Sequence, residues 1–317
     1  MAAVYNRLVA QLGLLAALSC GGILQGWTQT AVSQDLRSEV RLSETAERPL
    51  PDVATLMRKV EANQRTSETL LKDYLYHQVE TGEETDSHGG VKKAESHEYD
   101  IFWLNGVQVR KLTKKDGKEL TPDEQKKESE RIDKEVAKAK ERRAKADAAG
   151  KQTDSHGHEE VTVSRLLTLG SFTNPRRVQL DGRDTIAIDY VGDPKAKTQN
   201  RFEEVIRDLA GTVWIDEQDS TIARIEGHFI NAFKIGGGML VSVKQGTKFS
   251  FEQRKINDEV WLPAGGAGEG SFRALLFVSF NGKIRIVDSD YRKFKATATI
   301  LPGVSTVEQQ ETTAPPQ

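Results

Sequence analysis

Two histidine-bearing segments of this chain contain the residue types of a metal site. The pentapeptide Thr-Asp-Ser-His-Gly occurs at residues 85–89 and again at residues 153–157, and His158 follows the second copy. One aspartate and one histidine from each copy would suit a transition metal if the fold brought them together. Turns are also rich in aspartate, serine and glycine. Because neither copy contains a ligand pair of the His-Glu-x-x-His type, the sequence favours two polar loops and predicts neither a metal site nor a cofactor.

The sequence also lacks the common signatures of catalysis. It contains no Gly-x-Ser-x-Gly motif, and the glycines at 236–238 do not lie between a strand and a helix, so they indicate a turn between strands. Asp288 and Asp290 are predicted to share one strand face, which is a suitable arrangement for general acid–base catalysis. A solvated strand edge also explains them. We therefore predict a protein that is not an enzyme, and a metal-dependent hydrolase that uses the histidine loops is the weakest alternative.

Residues 1–33 have the three-part pattern of a signal peptide. Arg7 is basic, residues 8–24 are largely apolar, and Ala31 and Ser33 are small residues at the positions a signal peptidase reads. The apolar run is short for a membrane-spanning helix, although an uncleaved membrane anchor is the alternative interpretation. The pattern predicts export to the periplasm.

Cys20 lies at the end of a segment that resembles a bacterial lipoprotein box. Acylation of Cys20 would anchor the protein to the outer membrane. However, Ala17 stands where a branched residue or leucine is usual, and Ile23 lies where a polar tether is normal. These departures favour a cysteine that is discarded with the leader. Cys20 is the only cysteine, so no intramolecular disulfide can form.

The composition excludes some classes of partner. The 317 residues include 45 basic and 47 acidic side chains, for a formal net charge of −2. Nucleic-acid-binding proteins are usually strongly basic, so this balance argues against nucleic acid. No apolar run after the leader is long enough to cross a bilayer.

The first half of the body is predicted to contain two helices and two strands. Residues 34–51 form a polar tether, and Asp52 caps a helix whose apolar spacing fades near residue 69. Strands follow at 71–80 and 98–111, the second interrupted by Asn105-Gly106 as a tight turn or a bulge.

Residues 121–150 are predicted to form a charged helical insertion. Thr121, Pro122 and Glu124 form a strong helix start, and Gly150 is the expected stop. Only Ile132 and Val136 are sizeable apolar residues, so we expect this helix to project into solvent rather than to bury a stripe.

The second half is predicted to be almost entirely strands. Short helices are expected at 160–169 and 201–209, among strands at 178–191, 212–216, 221–230, 241–251, 260–263, 270–280 and 283–293. The tail at 303–317 is expected to be disordered. The predicted fold class is mostly β (α+β), a curved antiparallel sheet or incomplete β-barrel that short helices cover.

The alternation at 241–251 places apolar side chains on one face, and this face is our candidate for a hydrophobic cavity. Two aromatic residues lie in strands expected to share or border it. The candidate cavity residues are Phe102, Trp214, Val241, Val243, Phe249 and Phe251.

The segments at 211–216, 221–227, 251–263 and 280–294 resemble the LolA/LolB-like superfamily of envelope lipoprotein carriers and lipid-binding proteins. The resemblance covers roughly residues 52–302. It implies an incomplete barrel whose open side is covered by helices around a cavity for acyl chains. The charged helix is an insertion relative to the short carriers.

The sequence therefore leads to three functional hypotheses. The first is a non-enzymatic periplasmic or outer-membrane-associated carrier for lipid or lipoprotein acyl chains. The second is an envelope sensor or interaction module that docks a protein partner through residues 121–150. The third is the metal-dependent hydrolase.

Overall fold

An open antiparallel sheet organises the fold, in a computed structural model that describes residues 40–42, 48–86, 88–150, 163–235, 241–274 and 278–293. The helices within these ranges are α1 (Val53–Leu71), α2 (Pro122–Ala148), α3 (Val163–Leu169) and α4 (Arg201–Arg207). The strands are β1 (Val40–Leu42), β2 (Tyr74–Thr85), β3 (Val91–Leu104), β4 (Val107–Lys115), β5 (Lys118–Glu119), β6 (Gly170–Leu180), β7 (Arg183–Gly192), β8 (Leu209–Asp216), β9 (Thr221–Phe229), β10 (Phe233–Ile235), β11 (Val241–Val243), β12 (Lys248–Ile256), β13 (Val260–Ala274) and β14 (Val278–Lys293).

The strand order is β1-β6-β7-β8-β9-β12-β13-β14-β2-β3-β4-β5, with β10 and β11 joined to β13 through β11. In the part of the chain that the structure describes, the first and last strands of this order do not pair with each other, so the sheet stays open. Most neighbours are consecutive hairpins, while β2 returns to pair with β14 and brings the two ends of the body together. The predicted class of a mostly β fold with an open antiparallel sheet and helical covers is confirmed.

Short-range turn chemistry follows the sequence closely. Asn105 and Gly106 have φ values of 53° and 74°, and Asp181 and Gly182 have φ values of 50° and 77°. Two consecutive left-handed residues form the tight hairpin turn that Asn-Gly and Asp-Gly pairs favour. The interruption at Asn105-Gly106 is therefore a turn between β3 and β4.

Helix α1 covers one face of the sheet. The Asp52 side chain accepts a hydrogen bond from the backbone N–H of Thr55 at 2.8 Å, which confirms the predicted cap. Leu56, Met57 and Val60 are buried against a row of isoleucines on β7, β8 and β9, namely Ile186, Ile188, Ile215 and Ile222. We call the face under α1 the inner face and the opposite one the outer face.

Helix α2 lies against β4, so the prediction that it projects into solvent is wrong. Ile132, Val136 and Ala139 pack with Val107 and Val109. The buried stripe is only one residue wide. The sequence did not reveal this stripe because two of its four buried residues are Ala139 and Glu128. Neither a small alanine nor a glutamate raises the hydropathy of a helix enough to indicate a buried face.

The predicted strand at 241–251 is two strands, β11 and β12, separated by a turn in which Gly246 has φ 79°. β11 pairs with β10 and β13, whereas β12 pairs with β9 and β13. Val243 and Phe249 still contact the same apolar cluster. The period-2 pattern therefore continues across the turn and conceals it.

The predicted tether at 34–51 includes ordered contacts. Residues 40–42 pair with residues 178–180 of β6. Arg48 forms ion pairs with Asp184 and Glu217 at 3.0 and 3.2 Å, and Arg177 donates to the backbone carbonyls of Arg48 and Pro49. The end of this segment is therefore fixed to the sheet.

Several predicted features lie outside the described residues. They include the leader at 1–33 with Cys20, the turn at 236–238, the second histidine segment at 153–158 and the tail at 303–317. Within the ranges that are described, no helix is both long enough and apolar enough to cross a membrane.

Candidate ligand-binding face

A row of glycines crosses the inner face from β2 to β8. Cross-strand pairing aligns, in order, Gly82, Ile284, Gly268, Phe249, Gly227 and Gly211, and we call this row the glycine strip. The neighbouring inner row, nearer the part of the sheet that α1 covers, aligns Ile286, Gly266, Phe251, Ile225 and Val213. The strip therefore runs across the strands rather than along one of them.

Two glycines of the inner face lie close against the backbone of a neighbouring strand. A Cβ atom on Gly211 would lie 2.0 Å from the carbonyl oxygen of Glu226, and one on Gly266 would lie 2.6 Å from that of Ser250. Only glycine fits where a neighbouring backbone approaches this closely. A side chain at either position would therefore force the neighbouring strands apart.

Other positions of the strip leave open space. Among the residues that the structure describes, a Cβ atom on Gly268 would meet only the Lys248 carbonyl oxygen at 3.8 Å, and one on Gly82 would meet only Ile284 at 3.9 Å. Both are ordinary contacts, so side chains could be added there. Gly227 differs, because the Phe249 ring already lies over it and a Cβ atom would be 2.6 Å from that ring.

Some apolar side chains of the inner face are only partly buried. Val213, Ile225 and Phe249 all retain some exposure to solvent. At the β6–β7 end, Phe172 packs on Tyr190 with ring centroids 4.9 Å apart, and α3 and α4 close that end through Leu169 and Ile206. Burial raises the pKa of Tyr190, so its phenol stays neutral. Glycine, aliphatic and aromatic groups thus form a mostly apolar surface.

A buried polar network borders the other end of the strip. Arg110 donates to the Gln78 side-chain oxygen at 2.7 Å and pairs with Glu80, while Gln78 donates to Asp288 at 2.6 Å. The Arg110 guanidinium also lies 3.7 Å from the Tyr99 ring centroid. Burial raises the pKa of Tyr99 to about 12, and the positive charge of Arg110 opposes that shift. These groups satisfy one another, as buried polar groups must.

The interpretation of Asp288 and Asp290 as two acids on a solvated edge is wrong. Asp288 is 1% exposed, and it pairs with buried Gln78 of β2 through both backbone and side chain. Asp290 is exposed and has φ 51°, within the register shift between Ser289 and Arg292. The two carboxylates therefore differ in environment and do not form a catalytic pair.

The structure separates the six candidate cavity residues. Val243 and Phe249 contact one apolar cluster, and Phe251 is buried on the inner face next to them. Trp214 lies on the outer face with Trp261, because the adjacent residues of β8 are the ones that face inward. Phe102 packs toward α2. The side chain of Val241 lies outside the described part.

Sequence reasoning missed the glycine strip. The signal was present in β13, where residues 266, 268 and 270 are glycines at every second position, so they fall on one face. The remaining glycines lie in strands distant in sequence, and only the pairing register aligns them with β13.

The first histidine segment has a structural role. The Asp86 carboxylate accepts hydrogen bonds from the backbone N–H groups of His88 and Gly90 at 2.8 and 2.9 Å, so it closes its own turn. Among the residues that the structure describes, no group of three or more His, Cys, Asp or Glu side chains is placed to hold a metal ion.

No protein-family model matches the sequence, and no curated protein matches it. Among solved structures, the chain is similar to a domain from Vibrio parahaemolyticus that is named as an outer membrane lipoprotein-sorting protein domain. The identity is 9%, the match covers 78% of this chain and 95% of that chain, and the TM-score is 0.36. That is the class of protein that the sequence resembles.

Two structures of complexes between MucA and MucB are also similar. For the complex from Pseudomonas aeruginosa the identity is 8% and the TM-score 0.22, with 78% of this chain and 100% of that chain covered. For MucB bound to the periplasmic part of MucA, the identity is 7% and the TM-score 0.21 at the same coverage. With TM-scores below 0.5, these similarities assign no function to the chain.

Proposed function

We propose that this protein is a non-enzymatic binding protein of the cell envelope that holds a hydrophobic ligand, a lipid or lipoprotein acyl chain, on its inner face. The observation that carries this proposal is the open space that the described residues leave over Gly82 and Gly268, next to the partly exposed ring of Phe249. An open apolar surface on the curved side of a sheet is a favourable place for an aliphatic chain.

The energetics need no catalytic group. Each methylene that leaves water contributes about 0.8 kcal/mol, so a chain of several methylenes gains enough to bind reversibly. The glycines provide a floor without side chains, and Phe249 provides one side wall. The network of Glu80, Arg110 and Asp288 marks where the apolar surface ends.

The test fills the open space with one side chain. Gly268→Leu adds an isobutyl group on the inner face where a Cβ atom has room, whereas Ala267→Leu adds bulk at the adjacent exposed outer position. We expect Gly268→Leu to weaken the binding of a fluorescent fatty-acid probe about tenfold, which corresponds to about 1.4 kcal/mol of binding free energy. Ala267→Leu should bind like the wild type.

Thermal unfolding of both variants serves as the folding control. Two results contradict the proposal: a wild type that binds no acyl probe and carries no co-purified lipid, or equal binding by the two leucine variants. Either result favours the second candidate function, a module that docks an envelope protein. In its support, α2 presents a long, mostly exposed charged surface on one edge of the sheet.

A further inference from the structure

Helix α2 takes the place of a neighbouring strand along the edge of β4 that faces away from β3. The Glu128 carboxylate accepts a hydrogen bond from the backbone N–H of Leu112 at 2.8 Å. Arg131 donates to the carbonyl oxygen of Arg110, and Arg143 donates to that of Gly106. Leu112 and Arg110 belong to β4 and Gly106 to the turn before it, so the helix bonds to the side of β4 away from β3, where the next strand of a sheet would pair.

The lengths of the two elements match. From Glu128 to Arg143 the helix rises about 22 Å, and residues 106–112 extend about 20 Å. The helix runs antiparallel to β4, so Glu128, Arg131 and Arg143 reach the strand edge in the reverse of its chain order. Between them lie the buried residues Ile132, Val136 and Ala139.

The attachment of α2 to the sheet is narrow compared with its length. Only four of its 27 residues are buried, and one of those is Glu128. Its own stability is local, since Thr121 and Glu124 form a capping box and the pairs Arg131–Glu135 and Glu141–Lys145 are spaced i,i+4. A helix of this kind can leave its contact surface without taking the sheet apart.

The two ends of α2 differ. At its start, Lys115 of β4 pairs with Glu124 at 3.0 Å, which fixes the first turn to that strand. Gln125 also donates to the carbonyl of buried Leu120, just before the helix, at 3.0 Å. At its end, Gly150 is in the left-handed region with φ 67° and is exposed. Arg143 holds this end to Gly106, but no residue of the helix after Ala139 is buried, so we expect opening to begin from the C-terminal end.

We propose that α2 is a hinged strap that detaches from the edge of β4 while the rest of the sheet stays folded. In the closed state it satisfies the strand edge and covers Val107 and Val109. In the open state that edge becomes a template for strand pairing, since an uncovered strand presents free N–H and C=O groups. This inference does not depend on what the inner face binds.

Two buried alanines, each replaced by cysteine, can test whether the strap detaches. A thiol at a buried site reacts with a reagent only after the structure that covers it opens. Ala139 lies under α2 and Ala187 lies within the sheet, and both are 0% exposed. In a Cys20→Ser background, we expect Ala139→Cys to react with a thiol reagent at least 100-fold faster than Ala187→Cys. Its rate should also depend little on urea, because local opening exposes little surface.

A second substitution identifies the contact that holds the strap. Glu128→Ala in the Ala139→Cys background leaves the Leu112 N–H without its partner, so labelling should accelerate about tenfold. Glu141→Ala, which removes a carboxylate paired only along the helix with Lys145, should leave the rate unchanged.

Equal labelling rates with equal urea dependence at the two thiols would show that α2 and the sheet open only together and would overturn the proposal. No acceleration by Glu128→Ala would overturn it as well. If a cysteine variant fails to fold, hydrogen exchange of the Leu112 amide in the wild type decides instead. Exchange that depends weakly on urea supports the strap, and exchange only by global unfolding contradicts it.

Discussion

Glu124 shows how one side chain can join two elements. It accepts hydrogen bonds from the backbone N–H and hydroxyl of Thr121 and from Lys115 of β4. The backbone hydrogen bond from Thr121 is the main reason that the pKa of Glu124 falls from 4.5 to about 2. Because the folded pKa is depressed, the stabilisation is present above about pH 4.5 and is lost as the pH falls toward 2.

Replacement of this carboxylate should reduce the amount of folding stability that the protein loses at acidic pH. Glu124→Gln keeps an acceptor for the Thr121 N–H but cannot lose a charge, so its urea midpoint should change less than that of the wild type between pH 5 and pH 2. The measurement is the change in urea midpoint between pH 5 and pH 2 for each protein. Glu130→Gln, at an exposed position of the same helix, is the control. Parallel curves for all three proteins would contradict the assigned role of Glu124.

At the scale of elements, α2 is the main departure from a simple open sheet. It protects β4, whereas the opposite end of the sheet is protected by β1 and by the register shift on β6 that contains Asn174 and Pro175. Bulges, proline and covering helices all prevent strand edges from pairing between molecules. Removal of α2 should therefore affect association more than folding.

We expect a deletion of residues 121–150, bridged by glycine and serine, to unfold cooperatively at a lower temperature and to associate as its concentration rises. The deletion uncovers Val107 and Val109 at a bare strand edge. Thermal unfolding and size-exclusion chromatography at several concentrations measure the two effects. The same deletion with Val107→Lys and Val109→Lys is the control and should remain monomeric. A deletion variant that stays monomeric and unfolds at the wild-type temperature would show that α2 is peripheral.

For the whole molecule, the body is an open curved sheet with helices over its inner face, and the N-terminal segment at Arg48 and Pro49 is held by Arg177. Residues 1–33 precede this anchored point and carry the pattern of a signal peptide. We expect these residues, which lie outside the described ranges, to direct export of the protein.

We expect the exported protein to begin after Ser33 and to carry no palmitate, because Ala17 and Ile23 depart from a lipoprotein box around Cys20. N-terminal sequencing and palmitate labelling of cells that express the full chain measure both properties, with Cys20→Ala as the matched control. Label in the wild type that disappears in Cys20→Ala would instead establish a lipoprotein, and an intact leader would indicate a membrane anchor.

The sequence by itself determined the local features of this protein. The Asp52 cap, the capping box at Thr121, the Asn105-Gly106 turn and most strands follow from interactions within a few residues of each other. Turn and cap preferences act at that range, so they can be predicted without the fold.

Only the tertiary structure decided which side chains share a surface. Trp214 faces outward because strand pairing determines which residues of β8 face inward. Asp288 is buried beside Gln78, which is 210 positions away in the sequence. The glycine strip exists only through the register of strands that are distant in sequence. A shift of one residue in that register would reverse every side chain of a strand, and a single strand's pattern does not specify its partner. The candidate binding face therefore depends on long-range pairing, whereas its strands and turns do not.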